Sequence, residues 1–467
     1  MGKRKFLFCI GVSVLLFLVI SRMLISLHKG FMNVDAAYYI DVSRHIMNGE
    51  IPFLDFLMEY TPLSFFIMCI PFWIFGTSFR VALAFLYFIQ IVNAFLIFKI
   101  CYHYSKSYYL SVFTAVFSLM LCMLCDGESY VLEPFVLFFG LMALLLLCKD
   151  GYVRTIIAGI LCFCSFWSKQ YGLGFLVVAL VQVSLSSDFG KKLLKKQSFL
   201  IAGFIIGLLL FVVFHLIQGV DILSMFSLSG SDYRKEGIQG FIDAWRTLFI
   251  TLPLLLVSVV LMVANFRNPP KNPLLFVAFC GIFVFMLQCY VRFYAHYLIL
   301  VEPFCVLLLS GGFLAVKSMK IKKIYIYLLV LSTMIPSYFT IKSNMYLLET
   351  EDSSVQEEDA EAVKGIIPEN SDNVFASSDM LPMMLLNSYN PPLMRKYGLG
   401  NGFVIDPQGV EELIQASSYC IISESRLNTS QFSPEARDYL SREFDLNSIT
   451  SRDQQARYLI YKKKALE

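Results

Sequence analysis

Charged residues are scarce in this chain of 467 amino acids. They make up 16% of the sequence, whereas an ordinary soluble domain contains about 25%. The mean hydropathy is +0.66, and apolar runs close to the roughly 20 residues that cross a bilayer recur along the chain. The composition therefore excludes a soluble protein. Because the runs are continuous and do not alternate with polar residues, it also excludes an outer-membrane barrel.

Several familiar catalytic motifs are missing as well. The sequence contains no Walker phosphate loop, no dinucleotide-binding fingerprint and no His-Glu-x-x-His zinc motif, so chemistry driven by nucleotides or by a zinc hydrolase site has no support. Of the 12 cysteines, Cys420 alone lies after residue 348, and most of the others fall inside apolar runs. No disulfide framework is available to such a set.

Basic residues indicate how the chain crosses the membrane. The first apolar run follows Lys3, Arg4 and Lys5 and has no small-residue cleavage site, so it is predicted to be a retained span with a cytoplasmic amino end. Eleven spans are predicted, near residues 6–27, 81–101, 109–125, 134–148, 155–167, 172–185, 198–217, 248–263, 274–288, 297–316 and 324–341. This count puts the lysine clusters in cytoplasmic loops and nearly all acids of this half outside.

The segment 63–75 is apolar but short, and Pro71 interrupts it. A twelfth full span there would move the lysine clusters at 191–196 and 317–323 to the outer side, against the positive-inside rule. We therefore expect a re-entrant or juxtamembrane helix whose two ends both face outward.

The composition changes after residue 348. More than half of the chain's 35 acids, but fewer than a third of its 38 bases, lie in residues 349–467. Short β-rich runs at 373–378, 419–423 and 456–461 and helical spacing at 407–416 and 433–443 predict a small α/β domain. We expect residues 1–348 to form the membrane module and residues 349–467 an extracytoplasmic domain. The tail has no histidine and is expected not to catalyse.

The first outer loop has the pattern of one short helix. Asn33 is a candidate N-cap and Gly49 a candidate C-terminal stop, which places Asp35 in the first turn, where the helix dipole favours the ionised carboxylate. Tyr38, which follows three residues later, is predicted to lie on the same face. Such a carboxylate suits a general base or a metal ligand, and the alternative is that Asp35 only stabilises the start of the helix.

The loops together resemble a known family. Asp35 with the aromatic pair behind it, the Gly49 to Asp55 stretch and Glu59-Tyr-Thr-Pro-Leu resemble the first outer loop of the polyprenyl-phosphate-sugar-dependent glycosyltransferases. This group includes the protein O-mannosyltransferases and the lipid A aminoarabinose transferases. Three later segments also resemble it, namely the loop that ends at Glu133, the turn around Lys169 and the motif that runs from Tyr290 to Leu298.

The resemblance implies the C-type glycosyltransferase fold and transfer of a sugar from a polyprenyl-phosphate-linked donor to a glycan, lipid or protein acceptor. Transfer at the outer face of a membrane, expected to be a bacterial inner membrane, would invert the anomeric carbon. The implied catalytic residues are Asp35, Glu133 and Glu59, and the implied substrate-binding residues are Tyr38, Asp55, Lys169, Arg292, His296 and Tyr297. Asp35 and Glu133 are also candidate ligands of a divalent metal ion, the one cofactor considered.

Other interpretations remain open for these residues and for the whole chain. Lys169 and Arg292 could snorkel to the interface, Glu133 could serve only to begin a helix, and Asp126 and Glu128 could simply be solvated. A flippase or transporter of lipid-linked sugars predicts broken helices in the middle of the membrane. A polysaccharide polymerase or ligase is a further alternative.

Overall fold

The computed structural model describes most of the membrane half and parts of the tail. The described residues are 3–29, 34–56, 58, 60–186, 190–222, 237–265, 273–290, 293–349, 353–368, 371, 374–377, 407–429, 432–450 and 457–464.

Helices dominate the first 349 residues. In chain order they are α1 Lys3–His28, α2 Val34–Met47, α3 Leu63–Phe75, α4 Phe79–Ser105, α5 Tyr108–Cys122, α6 Glu133–Leu147, α7 Tyr152–Ser168, α8 Gly174–Ser186, α9 Lys191–Ile217, α10 Ile238–Thr251, α11 Leu254–Asn265, α12 Leu274–Met286, α13 Glu302–Ala315 and α14 Met319–Glu349. A π-helical turn at Met123–Gly127 and 3-10 turns at Gln170–Leu173, Leu287–Tyr290 and Ala295–Leu300 connect some of them.

Five of the described helices, namely α1, α4, α5 with its π turn, α9 and α14, are long and apolar enough to cross a membrane. A sixth candidate is the bent pair formed by α10 and α11. Large apolar side chains on the outer faces of these helices are exposed, as expected for contact with lipid. The protein is therefore an integral membrane protein, whereas the number of eleven spans stays a prediction.

Two apolar segments are interrupted. Helix α3 has only 13 residues with Pro71 inside, so it is about 20 Å long, shorter than the hydrocarbon core. The predicted span at 248–263 is divided between two helices, because Ile238–Thr251 and Leu254–Val263 meet at 104°; the span itself stays a prediction. Pro253 explains the break, since the residue before a proline is disfavoured in the helical conformation.

Helices α7 and α9 pack at very short range through glycines. A Cβ added at Gly159 would lie 2.1 Å from the carbonyl oxygen of Leu200, and one added at Gly203 would lie 2.0 Å from that of Ile156. Small residues at such a crossing let two membrane helices approach closely. This contact fixes α7, whose last turn leads to Lys169.

The described part of the tail contains four strands: β1 Val374–Ala376, β2 Tyr419–Ser423, β3 Phe444–Thr450 and β4 Arg457–Lys463. They form one sheet in the spatial order β1-β2-β4-β3. β1 and β2 are parallel, and the other two pairs are antiparallel. Helix α15, Ser353–Lys364, packs on one face, and α16, Pro407–Ala416, and α18, Pro434–Glu443, pack on the other. The short helix α17 is Glu424–Leu427.

This architecture confirms the predicted fold class, a polytopic helical membrane protein with a small C-terminal α/β unit. The strand β3 was not anticipated from the sequence. The division between residues 348 and 349 stays a prediction.

Candidate active site

Asp35 lies in the first turn of α2, which runs Val34–Met47. The position matches the sequence-based expectation. Asn33, the predicted cap, lies outside the described residues, and Gly49 follows the helix with φ of 86°, a conformation that glycine adopts readily. Helix α2 is packed into the protein, because most of its side chains, including that of Tyr38, are buried. Asp35 itself is only half-buried.

Glu133 and Lys169 form an ion pair in the protein interior. Lys169 Nζ donates a hydrogen bond to Glu133 Oε1 at 2.6 Å, and the side chains are 0% and 1% exposed for Glu133 and Lys169, respectively. Glu133 begins α6 with Pro134 behind it, and Lys169 follows the last residue of α7. The described surroundings give Glu133 Oε2 no hydrogen-bond donor. Because both side chains are buried and paired with each other, neither residue snorkels to an interface.

Three tyrosine rings surround the lysine ammonium. Lys169 Nζ lies 4.7 Å from the ring centre of Tyr60, 5.3 Å from that of Tyr297 and 5.7 Å from that of Tyr171. The hydroxyl of Tyr171 donates to that of Tyr297 at 3.4 Å. Aromatic faces attract a cation, and more strongly where water is excluded. We call Tyr60, Tyr171 and Tyr297 the tyrosine cage.

Hydrogen bonds tie this part of the site to its supporting helices. Thr61 Oγ1 donates to the carbonyl oxygen of Phe166, and Ser64 Oγ donates to that of Ser168, each at 3.0 Å. These bonds anchor the segment after Tyr60 to the end of α7. The turn after Lys169 needs a glycine, since a Cβ at Gly172 would lie 2.1 Å from the α7 backbone. The turn predicted around Lys169 is therefore present between two short helices.

Tyr39 is a buried residue of α2 that packs against the tyrosine cage. Its ring centre is 5.8 Å from that of Tyr60 in the cage. Burial raises the pKa of Tyr39 well above its usual value, and the charges of Asp35 and Glu133 raise it further. Both carboxylates thus act on one buried phenol, which keeps its proton. That Asp35 and Glu133 face one site stays a prediction.

His296 and Asp126 lie at the edge of the same region. His296 Nδ1 is 3.8 Å from Asp126 Oδ2, and the imidazole and Tyr297 ring centres are 4.9 Å apart. Asp126 lies in the π-helical turn with φ of 61° and remains 46% exposed. The contact brings the late motif of the sequence next to the second outer loop.

The other predicted site residues are less informative. Asp55 Oδ2 accepts a hydrogen bond from the backbone N–H of Ile51 at 2.7 Å, which closes a local turn. Glu59 and Arg292 lie outside the described residues. The roles of all these side chains in binding or catalysis stay predictions.

A buried network that the sequence analysis did not identify holds the second outer loop. Arg22 of α1 forms an ion pair with Glu128, and Tyr87 OH donates to the carbonyl oxygen of Glu128 at 3.0 Å. Gln90 and Asn93 donate to the carbonyl oxygens of Gly127 and Pro134 at 2.7 and 2.8 Å. The interpretation of Glu128 as solvated is wrong, because its side chain is buried and forms an ion pair with Arg22. The signal was present as polar residues three apart, at 87, 90 and 93, within an apolar run.

A divalent metal ion stays a proposal, and the described residues give it little support. Within the described ranges, no group of three or more His, Cys, Asp or Glu side chains is arranged to hold one. Of the two candidate ligands, Glu133 already accepts a hydrogen bond from an ammonium at 2.6 Å. A metal cation bound to Glu133 would be repelled by the positive charge of Lys169.

No family model matches the sequence, and no curated protein matches it. Solved structures do match. ArnT from Cupriavidus metallidurans bound to undecaprenyl phosphate aligns with a TM-score of 0.65 and 11% identity over 99% of each chain. The archaeal oligosaccharyltransferase AglB from Archaeoglobus fulgidus, in complex with an inhibitory peptide and a dolichol-phosphate, aligns with a TM-score of 0.54 and 11% identity over 99% of this chain and 75% of that one.

A second structure of the Archaeoglobus fulgidus oligosaccharyltransferase, in complex with zinc and sulfate, aligns with a TM-score of 0.53 and 11% identity over 96% of this chain and 73% of that one. At this identity the likeness concerns the fold. The chain thus shares the fold of ArnT and AglB, which is the fold that the loop motifs implied.

Proposed function

We propose that this chain is a membrane glycosyltransferase that moves a sugar from a polyprenyl-phosphate-linked donor to an acceptor at the outer face of the membrane. One observation carries the proposal. The buried Glu133–Lys169 pair inside its tyrosine cage supports it, in a fold like that of two solved structures that hold undecaprenyl phosphate and a dolichol-phosphate. Ionisable groups gathered beside a membrane suit a substrate that has both a phosphate and a reacting hydroxyl.

The proposed chemistry is a single displacement. The acceptor hydroxyl oxygen attacks the anomeric carbon, the bond from that carbon to the phosphate oxygen breaks, and the hydroxyl proton passes to Asp35 as general base. The released polyprenyl phosphate carries the electron pair of the broken bond. In-line attack inverts the anomeric carbon, and no second carboxylate nucleophile is required.

Lys169 is proposed to stabilise the leaving phosphate by its charge, together with Arg292. In the arrangement described here the ammonium is enclosed by Glu133 and the tyrosine cage. Tyr60, which precedes α3, lies 4.7 Å from the ammonium. Glu133 is then proposed to hold Lys169 in place and charged, which makes it a positioning residue. Asp55, Tyr38, His296 and Tyr297 are proposed to line the donor or acceptor site.

The alternative of a flippase or transporter rests on one feature, the 104° break between α10 and α11. Against it, the ionisable groups of the candidate site lie at helix ends. The two functions differ in whether the donor is cleaved. Purified protein in detergent, incubated with synthetic polyprenyl-phosphate sugars and extracted membranes as the acceptor source, should convert donor to polyprenyl phosphate, measured by mass spectrometry.

Donor that stays intact with every sugar tested, while proteoliposomes move it across the bilayer, would contradict the glycosyltransferase proposal. We also propose that the N-terminus is cytoplasmic and that residues 349–467 lie on the outer side without taking part in the chemistry. The positive-inside distribution of lysines supports that orientation.

A further inference from the structure

A cavity of about 550 Å³ lies at the end of the helix bundle opposite the candidate active site. It is bordered by the C-terminal ends of α4, α6 and α8 and the N-terminal ends of α7, α9 and α12. The length of helix α6 gives the distance between the two sites, because α6 begins at Glu133 in the buried ion pair and ends at Leu147 on the cavity wall. Its 15 residues span about 21 Å. The cavity is therefore separate from the proposed catalytic machinery.

Positive charge dominates the cavity wall. Lys106, Lys149 and Lys196 supply this charge, His103 lines the wall beside them, and Asp150 is the acid among its described lining residues. Asp150 is already paired, because Lys196 Nζ lies 2.7 Å from one carboxylate oxygen and Lys192 Nζ 3.6 Å from the other. The hydrogen bond from Lys196 lowers the pKa of Asp150.

Lys106 and Lys149 differ from that pair. Within the described ranges neither forms an ion pair, and both are exposed at the mouth of the cavity. The wall therefore carries a net positive charge that the described acids leave uncompensated.

The rest of the wall is mixed in polarity. Leu147, Val183, Leu185 and Pro273 supply apolar surface beside the lysines. The phenol of Tyr104 is held there, since its oxygen accepts a hydrogen bond from Gln182 Nε2 at 3.0 Å. Such a lining can receive an anion that carries a short apolar stem.

The positive-inside rule explains why lysines are abundant at this end of the bundle, but it does not require them to surround one cavity. Lys195, on the same helix turn as Lys196, shows the contrast. Its Nζ lies 4.6 Å from the ring centre of Tyr152 and it does not line the cavity. We propose that this cavity binds a phosphate group between Lys106, Lys149 and His103, supplied either by the headgroup of an anionic lipid or by a soluble phosphate. Basic pockets between membrane helices bind lipid headgroups in this way.

Binding to the purified full-length protein in detergent tests the proposal with three probes, namely dioctanoyl phosphatidylglycerol, dioctanoyl phosphatidylcholine and inorganic phosphate. The double variant Lys106→Gln/Lys149→Gln is compared with the matched control Lys195→Gln. We expect the double variant to weaken binding about tenfold or more, the loss expected from two lysine contacts with an anionic headgroup, and the control to bind as the wild type does.

Footprinting of the wild type keeps the proposal testable if the double variant folds poorly. The bound probe should slow acetylation of Lys106 and Lys149 but not of Lys195. Protection by phosphatidylglycerol alone assigns the site to a lipid, and equal protection by inorganic phosphate assigns it to soluble phosphate. The proposal is overturned if neither probe protects these lysines, or if phosphatidylcholine protects them as well as phosphatidylglycerol does.

Discussion

The buried Glu133–Lys169 pair allows a quantitative prediction. Replacing Glu133 with Gln keeps the size of the side chain but leaves the Lys169 ammonium buried without its counter-charge. Removing one partner of a buried pair typically costs about 3–5 kcal/mol of stability. At 2.6 Å and with both side chains enclosed, the pair should lie in that range. The contacts of the ammonium with the tyrosine cage are present in the wild type and in the variant, so they cancel in this difference.

Thermal unfolding in one detergent, followed by tryptophan fluorescence, measures this effect. Glu133→Gln and Lys169→Met should each unfold at clearly lower temperature than the wild type. The double variant Glu133→Gln/Lys169→Met should recover most of the loss, since it leaves no unpaired charge. The reasoning is refuted if the single variants unfold at the wild-type temperature, or if the double variant loses the sum of the two single effects.

Three further predictions concern other parts of the molecule. Arg22→Met should lower the unfolding temperature, because it leaves Glu128 buried without its counter-charge, and adding Glu128→Gln should restore most of the lost temperature. An unchanged unfolding temperature in Arg22→Met would contradict the buried ion pair. Burial opposes protonation of His45, but Asp41 and Glu50 outweigh burial and raise the His45 pKa. Protonated His45 therefore stabilises the fold fully below about pH 6.5, and this stabilisation is lost as the pH rises through the raised pKa. Across that range the wild type should lose more thermal stability than His45→Gln, and equal losses would contradict the assignment. Protease added to intact spheroplasts should remove residues 349–467, whereas protection of the tail would overturn the proposed orientation.

The sequence could predict that the first half is helical and lies in a membrane, because long apolar runs are what a lipid solvent requires. The number of spans and their orientation stay predictions. The first-turn position of Asp35 and the turn at Lys169 were predictable from local spacing and motif resemblance. These features depend on neighbours along the chain. The break at Pro253 is also local and was missed only because the apolar run continues across it.

Contacts between distant segments could not be predicted in the same way. The pairing of Glu133 with Lys169 joins residues 36 positions apart, and that of Arg22 with Glu128 joins residues 106 apart. Each side chain alone looks like an interfacial charge, and the packing of α1, α6 and α7 decides its partner. The tyrosine cage likewise brings together Tyr60 and Tyr297, which are far apart in the sequence.

The role of Asp35 as general base is the central claim of the proposed mechanism. Asp35→Asn preserves the size of the side chain and its place in the first turn of α2 but removes proton acceptance. Asp243→Asn is a matched control on α10, where the carboxylate accepts a hydrogen bond from Gln239. The decisive measurement is the rate of sugar release from the polyprenyl-phosphate donor by each folded variant, alongside donor binding. Asp35→Asn should bind the donor normally and release sugar about 10²- to 10⁴-fold more slowly, with the control unchanged. A folded Asp35→Asn protein that works at the wild-type rate would contradict the mechanism.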